Sequence, residues 1–401
     1  MSQKYVPDGT MLVCTTGTKM SRLKVTNQSM SRMSDGRLIG TFKDKMEDNL
    51  YCVLLNTAGA AVGAICAGAL AVALGVTALL AAAAVVGGAF AGSLINRIPC
   101  ICAMISSPVW MLPHPTVRIG GLLALPEKAF LPCTLGGPVK IMMLDLVKAL
   151  TYAKLCDDSY KDVSDGMIDG WEEDTEFSKK FKMKVEQSGF FARLYKSGDN
   201  YVLVFRGTDA DIKKPGELWK DAKTDVKQAI GMKDEQYEKA AQLTKEIKDE
   251  LKENPETQDA NLEVAGHSLG GGLAATASAD SDVEAYTFNA AGVHDSTYKK
   301  DENGNPIKNK ENVYAFHAQD GDMLNTLQDN RSVLSWVPGL GFLLAVRKGL
   351  PPAAGERIGM ETDASFLDLI TFKGHGLEKL KKAIEEESKK QKPITVKAET
   401  I

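Results

Sequence analysis

Short apolar runs alternate with amphipathic stretches along the second half of the chain. "NYVLVF" (200–205), "LEVA" (262–265), "VEAYTF" (283–288) and "NVYAFH" (312–317) are rich in β-branched and aromatic residues and read as strands. Between the first two lies "EQYEKAAQLTKEIKDELKE", where Tyr237, Ala240, Leu243, Ile247 and Leu251 recur at helical spacing with charges on the other face. "LDLVKALTYAKLC", from residue 144, has the same spacing. This alternation predicts a parallel sheet covered by helices, an α/β architecture. Residues 1–56 instead break into short extended pieces between Gly, Asp and Ser turns, such as "GTMLVCTTGT" and "DGRLIGTF". "TVRIGG" and "PVKIMM" continue that pattern further on. The frames "MLVCTTGT" and "FLPCTLGG" echo one another, which predicts one small β-rich module over residues 1–143.

An apolar segment interrupts that module. Residues 57–95 carry no charge over 39 positions, about twice the 20 residues of one helical bilayer crossing. Gly59–Gly63 and Gly88–Gly92 are small-xxx-small faces suited to close helix packing. A helical hairpin turning near Gly75–Thr77 and entering a membrane is the expectation, with a buried helix pair as the alternative. A second apolar stretch, "RSVLSWVPGLGFLLAVRKGLPP" (331–352), suits either a lid or core packing.

Composition narrows the classes. The 401 residues suffice for two or three domains, and a net charge of −4 with 25% charged residues gives no basic footprint for nucleic acid. "MSQKYVPDGTMLVC" lacks a basic region followed by an apolar one, so no cleaved secretory signal is expected. The seven cysteines, an odd number without a CxxC pair, favour reduced thiols over a disulfide framework. Residues 386–401 read as a polar, solvated tail.

The chemistry concentrates in "NLEVAGHSLGGGLAATASAD" (261–280), where a strand ends in Gly266-His267-Ser268-Leu269-Gly270 and a helix begins. A GxSxG motif in a strand–turn–helix setting is the nucleophile elbow of an α/β-hydrolase, and Ser268 is its expected nucleophile. A serine needs a base, and the base an orienting carboxylate, in the chain order Ser, Asp or Glu, His. Of the five histidines, His114 lies in the first module, His267 in the elbow, and His294 and His317 precede the acid candidates. His375, in "TFKGHGLEKL", is left as the base. Asp320 and Asp322 both follow "NVYAFHAQ"; Asp322 is favoured and Asp320 assigned to the turn. The N–H groups of Leu269 and Thr208, the latter in "YVLVFRGTDAD", are the expected oxyanion donors. Arg206 is expected in a structural ion pair.

"VFRGTD", "WKDAKTD", "GHSLGG", "DMLN" and a late Gly-His, in that order, resemble the class 3 lipase family over residues 144–385. The resemblance implies an α/β-hydrolase domain that cleaves acyl esters of lipids through an acyl-enzyme, without metal or other cofactor. It carries over Ser268 as nucleophile, Asp322 as acid, His375 as base, and Thr208 with Leu269 as oxyanion hole. "PDGTMLVCTTGTKMSRL", "MEDNLYC", "CICAMISSPVW" and "LPCTLGGPVKIM" resemble the PAAR-like proteins of type VI secretion spike tips. That family usually holds a metal through histidines and a cysteine, whereas this module has only His114; Cys14, Cys52, Cys102 and Cys133 are the side chains to which a metal would fall.

A PAAR-like module fused to a lipase implies an antibacterial effector acting on membrane phospholipid in a target cell's envelope or periplasm. Its implied partners are the secretion spike, an immunity protein and a chaperone masking residues 57–95. A membrane-anchored neutral-lipid or carboxylester hydrolase, and a non-catalytic spike-tip or membrane-binding protein, are the alternatives.

Overall fold

A computed structural model describes residues 4–14, 17, 19–50, 52, 102, 106–134, 137–181, 183–185, 189–207, 233–308, 310–318, 322, 353–363 and 376–390. The chain divides into two compact units, one ending at Asp145 and the other comprising Leu146–Lys390. The apolar segment 57–95 and the stretch 331–352 lie outside the described residues. Among the described residues, no helix is long and apolar enough to cross a membrane.

The N-terminal unit is built on an antiparallel sheet. Its strands are β1 (Met11–Cys14), β2 (Ser21–Lys24), β3 (Lys45–Met46), β6 (Phe130–Leu131) and β7 (Val139–Met142), in the order β3-β2-β1-β7-β6. Strands from both sides of residues 57–95 therefore share one sheet. β4 (Arg118–Ile119) and β5 (Leu122–Leu123) form a separate hairpin. Its two-residue turn puts Gly120 at φ 56° and Gly121 at φ 83°, the positive pair that a tight hairpin twist requires. Leu12, Leu23, Trp110, Leu125 and Leu131 form the core. Beside it the fully buried Asp44 carboxylate accepts from the N–H groups of Thr26, Asn27 and Thr41 at 2.7–3.0 Å. A buried charge persists only when hydrogen-bonded in this way.

The second unit holds an eight-stranded mixed sheet. Its strands are β8 (Glu172–Glu173), β9 (Lys184–Val185), β10 (Phe190–Ser197), β11 (Asn200–Phe205), β12 (Asn261–His267), β13 (Ala285–Phe288), β14 (Val313–Ala318) and β15 (Glu356–Met360). The order is β15-β14-β13-β12-β11-β10-β8, with β9 also paired to β10. β11 to β15 run parallel; β10 is antiparallel to β11, across a turn in which Gly198 has φ 57°. The helices are α1 (Leu146–Asp158), α2 (Thr175–Lys180), α3 (Lys233–Glu253), α4 (Leu269–Ser281) and α5 (Leu377–Lys390).

Strand alternation sorts the sheet's two faces. Leu203, Phe205, Val264, Ala285 and Val313 pack with α3 and α4. The stripe Tyr237, Ala240, Leu243, Ile247 and Leu251 is buried against them, with Leu243, Ile247 and Leu251 each worth about 1.5–3 kcal/mol of transfer. The opposite face receives α1, which packs with α5; the Lys381 ammonium meets Asp157 at 2.5 Å. There Glu263, on β12, is held by Tyr152 and Lys148 of α1, each at 2.5 Å. α5 runs to Lys390, five residues into the stretch expected as tail. Leu377, Leu380, Ala383 and Ile384 bury its inner face, and Glu385–Lys389 and Glu387–Lys390 pairs support its last turns.

Candidate active site

The C-terminal ends of the parallel strands form one edge. Register places Phe205 beside Gly266, His267 beside Phe288, and Phe288 beside Phe316. The segments that follow β11, β12, β13 and β14 therefore start from neighbouring points, where open α/β sheets place their ligands.

Ser268 occupies the corner between β12 and α4 with φ 57° and ψ −124°, a conformation that costs a non-glycine residue of order 1–3 kcal/mol. Hydrogen bonds hold it there. Its N–H donates to the Phe288 carbonyl at 3.1 Å, and its carbonyl accepts from Gly271, Gly272 and Ala291 at 3.0, 3.3 and 2.9 Å. The flanking glycines are sterically required. A methyl at Gly266 would run into the Gly270 backbone, and one at Gly270 into the backbone of Phe205 and Arg206. The elbow is thus packed backbone on backbone against its own helix and against β11. Leu269 is the first residue of α4, and the N–H groups of a helix's first turn lack intrahelical partners and favour negative charge.

Asp322, reached from β14, is 1% exposed. Asn289, which the sequence reading passed over, braces that approach. Fully buried at φ 43°, it donates its N–H to the Phe316 carbonyl and accepts from the Ala318 N–H, both at 2.9 Å. Its signal in the sequence is the tolerance of asparagine for left-handed backbone. The expected base His375, the expected donor Thr208 and the rival acid Asp320 lie outside the described residues. The structure thus brings Ser268 and Leu269 together at the corner, with Asp322 on the segment after β14.

The other histidines have local partners. His114 Nδ1 accepts from the Val117 N–H at 3.0 Å and His294 Nδ1 from the Ser296 N–H at 3.2 Å. His317 is buried, with the Arg357 Nε donating to its Nδ1 at 3.4 Å. His267 shares a contact with Tyr160, whose hydroxyl lies 2.9 Å from its Nδ1. The Arg206 guanidinium lies over the Phe191 ring, 4.5 Å from its centroid, a cation–π contact.

In the N-terminal unit, Cys14, Cys52 and Cys133 lie within electrostatic reach of Cys102. Burial, reinforced by those neighbours, pushes the Cys102 thiol up to about 11, although its sulfur accepts the Leu50 N–H at 3.3 Å. Among the described residues, no group of three His, Cys, Asp or Glu side chains is placed to hold a metal ion.

A mixed α/β sheet with a serine held at positive φ between strand and helix defines a hydrolase-type domain. Within that class, residues 151–356 match the phospholipase-like family, a Tle-like phospholipase domain. The match covers half of the chain, which belongs to that family. The extracellular phospholipase A1 of Serratia liquefaciens is 34% identical over 221 residues, 53% of this chain and 59% of that protein. The chain therefore spans less than two thirds of this relative's length. Among solved structures, the triacylglyceride lipase of Rhizomucor miehei aligns at 14% identity and a TM-score of 0.32, over 46% of this chain and 75% of its own. The same lipase in complex with its propeptide aligns at 15% identity and a TM-score of 0.29, over 50% and 66%.

Proposed function

We propose that this protein is a phospholipase that cleaves acyl esters of membrane phospholipids through Ser268, Asp322 and His375. The observation that carries the reading is the positive-φ corner at Ser268, set in a domain of the phospholipase-like family. Ser268 Oγ attacks the acyl carbonyl while His375 takes its proton, and Asp322 orients and stabilises the imidazolium. The oxyanion accepts from the N–H groups of Leu269 and Thr208. The tetrahedral intermediate collapses, the proton passes from His375 to the lysophospholipid alkoxide, and the acyl group remains on Ser268. Water, deprotonated by His375, then releases the fatty acid and restores the hydroxyl. No step uses a metal or cofactor.

The N-terminal unit is read as a PAAR-like spike-tip module, and the whole chain as a type VI secretion effector that reaches a target cell's envelope. The relative described as an extracellular phospholipase A1 supports delivery outside the producing cell, and the small antiparallel sheet drawn from both flanks of the 57–95 segment supports a single N-terminal module. The spike, an immunity protein and a chaperone for residues 57–95 are the partners this reading requires.

The test is acyl release by the full chain and by Ser268→Ala, from phosphatidylcholine vesicles and from a short-chain ester. Serine-dependent release from vesicles supports a phospholipase. Serine-dependent release from the soluble ester alone favours an anchored carboxylester hydrolase. No serine-dependent release from either favours a non-catalytic module.

A further inference from the structure

Tyr160 has no place in the triad or the oxyanion donors, yet its hydroxyl lies against the elbow, 2.9 Å from the His267 Nδ1. It follows α1 directly, in a tight turn in which its N–H donates to the Asp157 carbonyl at 3.2 Å and the Lys161 N–H to the Asp158 carbonyl at 3.0 Å. The turn is pinned from below. Buried Arg193 donates to the Asp158 carbonyl at 2.9 Å and to the Lys161 carbonyl at 3.1 Å, and the Asp165 N–H donates to the Asp158 carboxylate at 2.9 Å. From this fixed base the Tyr160 ring meets the His267 ring edge-on, with centroids 5.8 Å apart, and its hydroxyl reaches the His267 Nδ1. His267 shares its sheet face with Glu263, the face that α1 covers.

Gly207 closes the arrangement. A methyl there would stand 2.5 Å from the Tyr160 hydroxyl, 2.7 Å from the His267 carbonyl and 3.2 Å from Ser268 Cβ. Three parts of the chain therefore converge on one point: the turn after α1, Gly207 just past the end of β11, and the elbow. A side chain at 207 would take the space that the phenol occupies. Oxyanion donors act only when held at about 2.7–3.1 Å from the developing charge. One expected donor belongs to the β11 segment and the other to the elbow.

We propose that Tyr160, through its hydroxyl contact with His267 and its packing on Gly207, is a positioning residue that fixes the Ser268 elbow against the end of the β11 segment. The proposal rests on the phospholipase reading above. Tyr160 acts through the elbow and the β11 segment, so its loss loosens the transition state and leaves ground-state binding in place.

The experiment compares the full-length protein with Tyr160→Phe, His267→Leu, His267→Asn and the Tyr160→Phe/His267→Leu double variant on a soluble short-chain ester. It also measures the affinity of each for an alkylboronic acid, which forms a tetrahedral adduct with an active serine. Ser268→Ala is the blank. Tyr160→Phe is expected to lower kcat by about 10- to 100-fold, below the loss of a whole oxyanion donor, with KM within about twofold. Boronate affinity should fall in parallel. His267→Leu should match it, the double variant should be no worse than either single change, and His267→Asn, which keeps a polar atom near the Nδ1 position, should recover most of the loss. A kcat within twofold of wild type for Tyr160→Phe overturns the proposal. So does a rise in KM alone, which would make Tyr160 part of the substrate wall. Wild-type protein no more active than Ser268→Ala overturns the hydrolase reading itself, and this proposal with it.

Discussion

Tyr152→Phe isolates one oxygen that ties α1 to the strand leading into the elbow. Glu263, 3% exposed, accepts from the Tyr152 hydroxyl at 2.5 Å, from the Lys148 ammonium at 2.5 Å and from the Asn261 amide at 3.2 Å. The tyrosine ring stays packed edge-on against Trp171 and Tyr286 in the variant, so no cavity opens. Only a charge-assisted hydrogen bond is lost, worth about 1.5–3 kcal/mol when the acceptor is a buried carboxylate. A domain of this size shifts by about 2–4 °C per kcal/mol, so the second unit's melting transition should fall by about 3–12 °C. Calorimetry that separates the two units' transitions reads this directly, and urea unfolding of the same protein gives the free energy. Burial, with the nearby Glu263 charge, holds the Tyr152 hydroxyl far above its ordinary pKa, so it stays protonated and the loss should not vary between pH 6 and pH 9. A Tyr152→Phe protein within about 0.5 kcal/mol of wild type, a change typical of surface sites, would refute the view that this hydroxyl holds the carboxylate in place.

Three further outcomes follow from the same geometry. Gly266→Ala places a methyl in the Gly270 backbone and should lower stability by about 1–3 kcal/mol and abolish acyl release, read by urea unfolding and a vesicle assay. Burial disfavours the charge on Asp158, but the Asp165 N–H, the Tyr195 and Ser164 hydroxyls and Arg193 outweigh it, so its pKa is lowered. Its contribution to stability is therefore complete above its unfolded pKa and disappears as pH falls through the lower folded value; Asp158→Asn should flatten the acid limb of a stability–pH profile below about pH 4. With its thiol pushed up to about 11 by burial, Cys102 should resist alkylation in the native protein at pH 8, while half-buried Cys133 reacts first of the pair, as peptide mass spectrometry would report.

The parts of this protein legible in the sequence are those in which local pattern and steric need coincide. β11 and β12 were readable because buried parallel strands are continuous apolar runs, and α3 because one stripe of five residues faces the core. The corner at Ser268 was readable because Gly266 and Gly270 are demanded by backbone contacts one turn apart. The antiparallel edge was not. "FFARLYKS" mixes charge into a strand because Arg193 is buried with Asp158, a partner 35 positions away. β15, in "GERIGM", is too short to show a period. α5 outran its expected end because charge pairs, which read as solvated tail, also support a helix. Tyr160 and Asn289 were passed over for a common reason: each acts on a residue distant in the chain, His267 and Ala318, and neither belongs to a motif.

The most direct test of the central claim is to treat the full-length protein with a fluorophosphonate and locate the adduct by peptide mass spectrometry. One phosphonyl group on Ser268, absent from Ser268→Ala and accompanied by complete loss of acyl release from phospholipid vesicles, is the predicted result. Full inhibition with the adduct on another residue, or no adduct on a folded protein that still hydrolyses phospholipid, would contradict it.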